Sequence, residues 1–286
     1  MTSRPESGAG EAALHARGTW PLPAGHRVAI VGSRRPSPYG EAAAEQLAAD
    51  LARAGVIVIS GLALGVDAAA HRGALNGGGI TVAVMGTGVD LVYPAAHGRL
   101  AEEILAAGGA LVSQFPAGTT PRRQHFPARN WTMAALSDAV VVVEAGQGSG
   151  ALITAEAALH LHKEVMAVPG SIFSPLSVGT HGLIRDGAAL VQNARDVLAA
   201  LGDSKEVLDD PLATPPRLGF ALPPDRDGLL IHLSDVLAVS AAELARKLGL
   251  PVAEVLGRLT ALELDGAVRR HDAGFVRALR RGKQRA

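Results

Sequence analysis

Short apolar runs alternate with longer Ala-rich stretches along most of the 286-residue chain. Runs such as Val28–Val31, apolar at every position, are typical of strands buried on both faces. The predicted strands are Val28–Val31, Val56–Ser60, Ile80–Met85, Ala110–Gln114, Ala139–Glu144, Glu164–Val168 and Ala189–Val191. The predicted helices are Ser37–Ala54, Val66–Asn76, His97–Ala107, Ala128–Leu136, Gly150–Leu161, Thr180–Asp186 and Asn193–Leu201. This alternation predicts an α/β domain with a mostly parallel sheet and helices on both faces.

The pattern divides the chain into four parts. Residues 1–24 lack periodicity and predict a flexible leader, although Leu14, Trp20 and Leu22 could pack on the next domain. The α/β domain is predicted at 25–202, and a Pro- and Asp-rich linker at 203–226. The remainder, 227–286, predicts a winged-helix domain with a basic tail.

The winged-helix prediction rests on three short amphipathic stretches and a hairpin. The predicted helices are Leu229–Leu237, Ala241–Leu248 and Pro251–Leu264, and the strands are Gly266–Arg270 and Gly274–Arg277. Ser240 is expected to cap the second helix and Gly249 to end it. The third helix has few cations, chiefly Arg258, so this domain could contact protein instead of reading a DNA groove. The tail could bind nucleic acid or be a solvated end.

Gly-rich loops follow several predicted strands, and the carboxyl ends of parallel strands are where such sheets bind ligands. The loop residues that we select as candidate anion contacts are Gly32, Ser33, Arg34, Arg35, Gly61, Gly148, Ser149 and Gly150. Glycine lets a backbone turn sharply, so that amide groups and the next helix can face a phosphate. Taken singly, the Gly32 turn fits phosphate binding and plain turn geometry equally. Ser149 could cap a helix or contact a phosphate oxygen.

A second basic segment, residues 121–130, surrounds a phenylalanine with cations. Its candidate DNA contacts are Arg122, Arg123, Phe126, Arg129 and Asn130. Prolines on both sides are expected to hold this segment out of regular structure. Cations next to an aromatic ring suit single-stranded nucleic acid, whose phosphates need charge and whose bases need a stacking face. A buried phenylalanine is the ordinary alternative.

Composition narrows the possible chemistry. The chain has no cysteine, which excludes disulfides, thiolate nucleophiles and Cys-based zinc sites. His160 and His162 are expected on different helix faces, which does not suit one metal ion. Asp67 and His71 lie four residues apart, and a helix-stabilising pair is favoured over an acid–base dyad. No apolar stretch is long enough to span a membrane and no signal peptide is evident, so we expect a cytoplasmic protein.

Several segments together resemble the DNA-processing protein A family (DprA, also called Smf). They are Ile30–Arg34, Ile59–His71, Gly86–Asp90 with Tyr93-Pro94, Phe126–Asn130, Ser149–Ala155, Val168–Ser171 and Gly179–Ala188. The match runs in order over about residues 26–200. It implies an extended Rossmann-like domain that binds single-stranded DNA, forms homodimers and loads the RecA recombinase during natural transformation, with no cofactor and no turnover.

The resemblance also implies roles for individual residues. Arg34 and Arg123 match phosphate-contacting positions, Phe126 the side chain that approaches bases, and Ser149 a polar contact. The last helix of the domain takes part in dimerisation, which points to Val197, Leu198 and Leu201.

Two features depart from the family pattern. Trp131 stands where a basic residue is expected, although an indole could stack on a base. The helical domain that precedes this region in many members has no match here, so either the protein lacks it or the chain has been shortened.

An alternative function is a nucleotide-processing enzyme similar to phosphoribohydrolases, which share a Gly-rich loop before a helix. Those enzymes follow that loop immediately with paired glutamates. Here Thr154 is followed by Ala155 and only then by Glu156, so the expected carboxylate is displaced.

Overall fold

The computed structural model describes residues 14–202, 229–234, 238–264, 266–271 and 273–278. These residues form two compact units, one built mostly from residues 14–202 and the other mostly from residues 229–278. The predicted linker, the first thirteen residues and the basic tail beyond residue 278 lie outside the described residues.

The first unit is built on an eight-stranded sheet. Its strands are β1 (His15–Gly18), β2 (Arg27–Val31), β3 (Ile57–Ser60), β4 (Thr81–Val84), β5 (Ala110–Ser113), β6 (Ala139–Val142), β7 (Glu164–Ala167) and β8 (Ala189–Leu190). They lie in the order β1-β5-β4-β3-β2-β6-β7-β8. Every neighbouring pair is parallel except β1 with β5. The prediction of a mostly parallel sheet is therefore confirmed.

Helices alternate with these strands. They are α1 (Pro38–Arg53), α2 (Val66–Asn76), α3 (Gly98–Ala106), α4 (His125–Leu136), α5 (Gly150–His160), α6 (Val178–Arg185) and α7 (Ala194–Ala200). Alternate residues of each central strand face opposite helix layers. On β4, Val82 and Val84 pack in a cluster with Met133 of α4, while Ala83 packs in a second cluster with Ile104 of α3. Both faces of the sheet are covered, as the uninterrupted apolar runs predict.

The predicted leader is wrong for residues 15–18. These residues form β1, an antiparallel edge strand in which His15 lies opposite Ser113 and Gly18 opposite Ala110. Leu22 is buried, and Leu14 and Trp20 pack on the same core. Because all four residues of β1 are exposed, the segment has no apolar pattern by which it could be recognised.

The second unit contains α8 (Ala241–Leu248), α9 (Val252–Leu264) and the antiparallel hairpin β9 (Val268–His271) and β10 (Gly274–Arg277). Ser240 accepts a hydrogen bond from the Glu243 amide and Gly249 ends α8 with a φ of 66°, so both predicted caps are confirmed.

The predicted helix over Leu229–Leu237 is instead a single 3-10 turn, Leu230–His232, and residues 235–237 lie outside the described residues. Leu233 is already extended. The carbonyls of Leu230 and Leu233 accept hydrogen bonds from the Arg277 guanidinium, at 2.7 and 2.9 Å. A continuing helix would give these carbonyls to its own amides.

Among the helices of the described residues, none combines the length and the apolar composition of a membrane-spanning segment.

Candidate nucleic-acid interface

The loops that follow β2 and β3 lock together at the carboxyl edge of the sheet. The Val66 amide donates to the Ser33 carbonyl at 3.1 Å. A Cβ on Gly32 would lie 2.7 Å from a methyl group of Val66, and Gly65 has a φ of 78°. Glycine at these two positions is required for close approach of the loops and for a left-handed backbone. With the two loops in contact in this way, Arg34 and Arg35 remain exposed at the edge.

Arg34 lies against an aromatic pair. Its guanidinium carbon is 5.5 Å from the centroid of the Phe126 ring. The Tyr93 ring lies 5.7 Å from Phe126, and Tyr93 is 49% exposed. A Cβ on Gly86 would lie 3.0 Å from the Phe126 ring, so this glycine leaves room for the phenylalanine. The structure thus brings together Arg34 and Phe126, residues separated by about half of the domain's sequence, and places a cation beside exposed aromatic surface.

Tyr93 also belongs to this group, although it is not among the site residues predicted from the sequence. The sequence feature that could have identified Tyr93 is its position in the loop that begins with Gly86-Thr87-Gly88. This loop follows β4 and therefore lies at the same edge of the sheet.

Phe126 lies in the first turn of α4, which begins at His125. The expectation that Pro127 holds this segment out of regular structure is therefore wrong. Proline is tolerated in a first helical turn because amides there have no partner within the helix. The unpartnered amides give the start of α4 a partial positive charge.

Arg122 and Arg123 immediately precede α4 and are exposed, as are Arg34 and Arg35. Within the residues that the structure describes, none of these four arginines forms an ion pair with a carboxylate. Four permanent charges are therefore available at this edge and before α4.

Arg129 is not an accessible contact, contrary to the prediction. It is 4% exposed, and its guanidinium donates to the Val84 carbonyl at 2.7 Å and to the Gly61 carbonyl. A Cβ on Gly61 would overlap the guanidinium. The roles of both residues are therefore corrected: Gly61 is glycine because the arginine approaches its backbone, and the pair holds the ends of β3 and β4 together.

Asp67 supplies the negative charge near Arg129. Its Oδ2 accepts hydrogen bonds from the amides of Gly61 and Ala63, at 3.1 and 3.3 Å. Burial raises the pKa of the Asp67 carboxyl, and the charge of Arg129 opposes that rise. Burial also lowers the pKa of Arg129, which the Asp67 charge opposes. Each charge therefore reduces the cost of burying the other.

Asn130 is also buried, so the prediction that it contacts DNA is corrected to a structural role between helices. Its side-chain amide donates to the Gly150 carbonyl at 3.0 Å, which ties α4 to the start of α5. Ser149 accepts from the Ala151 amide at 3.3 Å and caps α5. Gly148 and Gly150 are exposed beside it. The loop thus offers a second helix start with accessible backbone at the sheet edge.

Asp67 and His71 form neither an acid–base dyad nor the helix-stabilising pair that was favoured, since each side chain binds other groups. His71 Nδ1 lies 2.7 Å from the Thr81 hydroxyl, which donates to the Val58 carbonyl at 2.9 Å. The hydroxyl must therefore accept from the imidazole, which places the proton on Nδ1. Burial lowers the pKa of His71 to about 3, so the ring is neutral near pH 7. It is buried away from the edge and does not serve as a base there.

Trp131 lies away from the edge. Its ring is 5.7 Å from that of His160, at the far end of α5. The eleven residues of α5, which follow Ser149 and end at His160, correspond to roughly 16 Å of helix. Trp131 is therefore not placed to stack on a base held at Ser149. In the described part of the chain, no three His, Asp or Glu side chains are grouped to hold a metal ion.

Val197 and Leu198, two of the three predicted dimer contacts, are buried within the single chain. Leu201 is partly exposed. The prediction is therefore corrected for the first two, because a side chain already covered by its own chain offers no surface to a partner.

Comparison with known proteins gives matches to both units. The model of the family described as "DNA recombination-mediator protein A" matches residues 9–202, and that of the "DprA winged helix domain" matches residues 213–274. "Protein Smf" of Escherichia coli is 40% identical over 260 residues, which cover 89% of this chain and 68% of the relative. The chain thus spans about two thirds of that relative's length.

Two solved structures are also similar. That of DNA processing protein A from Streptococcus pneumoniae has a TM-score of 0.57 and 45% identity, covering 61% of each chain. That of DNA processing protein A from Helicobacter pylori has a TM-score of 0.60 and 29% identity, covering 70% of this chain and 94% of the other. The latter was described for its single-stranded DNA binding mode.

Proposed function

Since the chain belongs to the DNA recombination-mediator protein A family, we propose that it binds single-stranded DNA along the carboxyl edge of its sheet. The observation that carries this proposal is the placement of the Arg34 guanidinium over Phe126, next to the exposed ring of Tyr93. A cation and an aromatic face side by side suit a phosphate followed by an unpaired base. Duplex DNA has no exposed base face to offer.

The path of the DNA follows the order of the strands. Gly32, Ser33, Arg34 and Arg35 come from the end of β2, and Gly148, Ser149 and Gly150 come from the end of β6, its neighbour in the sheet. Arg122 and Arg123 precede α4. The backbone amides at the starts of α4 and α5 add partial positive charge. In this proposal these groups hold successive phosphates, while Phe126 and Tyr93 contact bases.

We propose that the protein acts as a recombination mediator, protecting incoming single-stranded DNA and loading the RecA recombinase during natural transformation in the cytoplasm. The family description supports the mediator role. A homodimer would present two binding edges and raise avidity through effective concentration. Because Val197 and Leu198 are buried, we place self-association at exposed surface such as β8, an edge strand in which Leu190 is exposed.

Binding without turnover is favoured over nucleotide hydrolysis. The buried acid and imidazole of α2, Asp67 and His71, are engaged by backbone amides and by Thr81. Ser149 caps α5, and Ala155 follows Thr154 at the position where phosphoribohydrolases carry a glutamate. The family match gives the alternative no support.

The test is salt-dependent binding to one labelled oligonucleotide of about 16 nucleotides, single-stranded or as duplex. We expect tighter binding to the single strand. Arg34→Ala with Arg123→Ala should weaken it about 100-fold and reduce the slope of log K against log salt by about 1.4, since each lost phosphate contact removes about 0.7.

A matched double variant, Arg17→Ala with Arg53→Ala, removes two exposed arginines that form ion pairs with Glu102 and Asp50. This variant should bind as wild type does. Equal affinity of the wild type and the Arg34/Arg123 variant at every salt concentration would contradict the proposal.

A further inference from the structure

The loop between β7 and α6 displays two large apolar side chains to solvent. Ile172 is 81% exposed and Phe173 is 90% exposed. A single exposed apolar residue is ordinary, but two adjacent ones at a loop tip contribute nothing to the core and offer apolar surface to a ligand.

This loop is held in a defined conformation. The Ser174 amide donates to the Ser171 carbonyl at 3.0 Å, which closes a turn with Ile172 and Phe173 at its two central positions. The Phe173 amide donates to the Ser171 hydroxyl at 3.2 Å. The turn thus fixes the backbone that presents the two side chains, and less entropy is lost when they contact a ligand.

The loop is also continuous with the proposed DNA-binding edge. β7 is the neighbour of β6, and both strands end at the same edge. The Ala145 amide donates to the Leu176 carbonyl at 2.7 Å, and the Gly179 amide donates to the Ala145 carbonyl at 2.8 Å. Two hydrogen bonds therefore fasten the β7–α6 connection to the start of the Gly146–Gly150 loop.

The segment that contains this loop carries no carboxylate that would repel a polyanion. No Asp or Glu occurs between Glu164 and Asp186. A nucleic acid following the edge from Arg34 across the Gly146–Gly150 loop would meet no carboxylate of this segment before reaching Phe173.

From these observations we propose that Phe173, flanked by Ile172, is a second stacking platform for a base of single-stranded DNA at the far end of the binding edge. This inference rests on the proposed function. Phe126 packs at the end of β4 and Phe173 follows β7, four strand spacings away, or about 19 Å at roughly 4.8 Å per spacing. For a strand whose bases stay stacked as in duplex DNA, at about 3.4 Å per nucleotide, this separation corresponds to five or six nucleotides.

The experiment measures the affinity of the full chain for labelled oligothymidylates of increasing length, from about 4 to about 16 nucleotides. Phe173→Ala should bind the shortest oligonucleotide as wild type does and the longer ones about tenfold more weakly. The salt slope should stay unchanged, because no charge is removed. Phe173→Trp should restore the affinity, and its fluorescence should be quenched only by the longer oligonucleotides.

Leu159→Ala is the matched control, since Leu159 is an exposed apolar residue in the last turn of α5. It should bind every length as wild type does. Phe173→Ala removes a side chain that is almost fully exposed, so its thermal midpoint should equal that of wild type.

The outcomes separate this inference from the function on which it rests. Suppose the Arg34/Arg123 variant loses affinity while Phe173→Ala binds every length as wild type does. That result would support DNA binding at the sheet edge and would refute Phe173 as a second stacking platform. A change in oligomeric state without a change in DNA affinity would instead assign the loop to contact with a second copy. If the arginine variant binds normally as well, the proposed function itself fails.

Discussion

Arg34 and Arg123 of the α/β unit differ from Arg258 and Arg270 of the winged-helix unit in whether a carboxylate binds them. In the α/β unit, Arg34 and Arg123 are exposed and form no ion pair with any carboxylate of the described residues. In the winged-helix unit, Arg258 pairs with Glu254 at 2.6 Å and Arg270 with Glu263 at 3.5 Å. The number of basic residues in a segment therefore does not tell how many are available to bind a phosphate.

The surface of α9, the helix in the position of a recognition helix, also differs from that of a DNA-binding helix. Besides the paired Arg258, α9 exposes Val252 and Leu256 on its surface. Groove-reading helices carry unpaired polar and basic side chains that reach base edges and phosphates. The surface of α9 fits a protein partner better, which supports the proposal that DNA binds to the α/β unit.

Arg129 is the strongest test of this comparison, because it lies in the basic segment of the α/β unit and is nevertheless buried. Replacing it with methionine leaves Asp67 as an unbalanced buried charge and removes the donor to the Gly61 and Val84 carbonyls. We expect the free energy of unfolding to fall by about 3–5 kcal/mol. Both tryptophans of the chain, Trp20 and Trp131, lie in this unit, so tryptophan fluorescence in a urea titration reports its unfolding.

Arg53→Met is the control for that variant, since the surface ion pair of Arg53 with Asp50 is worth at most about 1 kcal/mol. If Arg129→Met kept full stability and lost only DNA affinity, Arg129 would be a contact residue after all.

Arg129 also shows where sequence reasoning ends. The order of strands and helices was predictable because apolar periodicity reflects burial directly. The proximity of Arg34 and Phe126 was also predictable, because both lie at predicted strand or helix ends at one edge of the sheet. The partners of Arg129, however, are carbonyls 68 and 45 residues away in sequence. Nothing in an Arg-Asn pair distinguishes a guanidinium buried on such carbonyls from one that faces solvent.

Acid should destabilise the α/β unit through His71. The unfolded chain takes up a proton on this residue below about pH 6.5, whereas burial lowers the pKa of folded His71 to about 3. Stability is therefore lost as the pH falls between these values, by about 2 kcal/mol at pH 5. Asp67 acts in the opposite direction, because its raised pKa favours protonation of the folded state.

The measurement compares wild type with His71→Asn, in urea titrations followed by tryptophan fluorescence from pH 7.5 to pH 5. The asparagine amide can still donate to Thr81 but does not titrate. The variant should therefore lose less stability than wild type over this range, even if it starts from a lower value. Parallel profiles would mean that His71 is protonated in the folded protein.

Substitutions in the winged-helix unit should have the smallest effect, and the quantity measured is the affinity for single-stranded DNA. Arg258→Ala with Arg270→Ala removes two charges, the same number as the Arg34/Arg123 variant, so the two variants are matched in net charge. Because Glu254 and Glu263 already neutralise these arginines, we expect the affinity for single-stranded DNA to change less than about twofold, within the range of surface ion pairs. The salt slope should not change, because it counts phosphate contacts and not total charge.

A slope that fell by about 1.4, as expected for the Arg34/Arg123 variant, would show that DNA displaces both glutamates. The winged helix would then be part of the DNA-binding surface, and pairing within the unbound protein would be no guide to which arginines meet the phosphates.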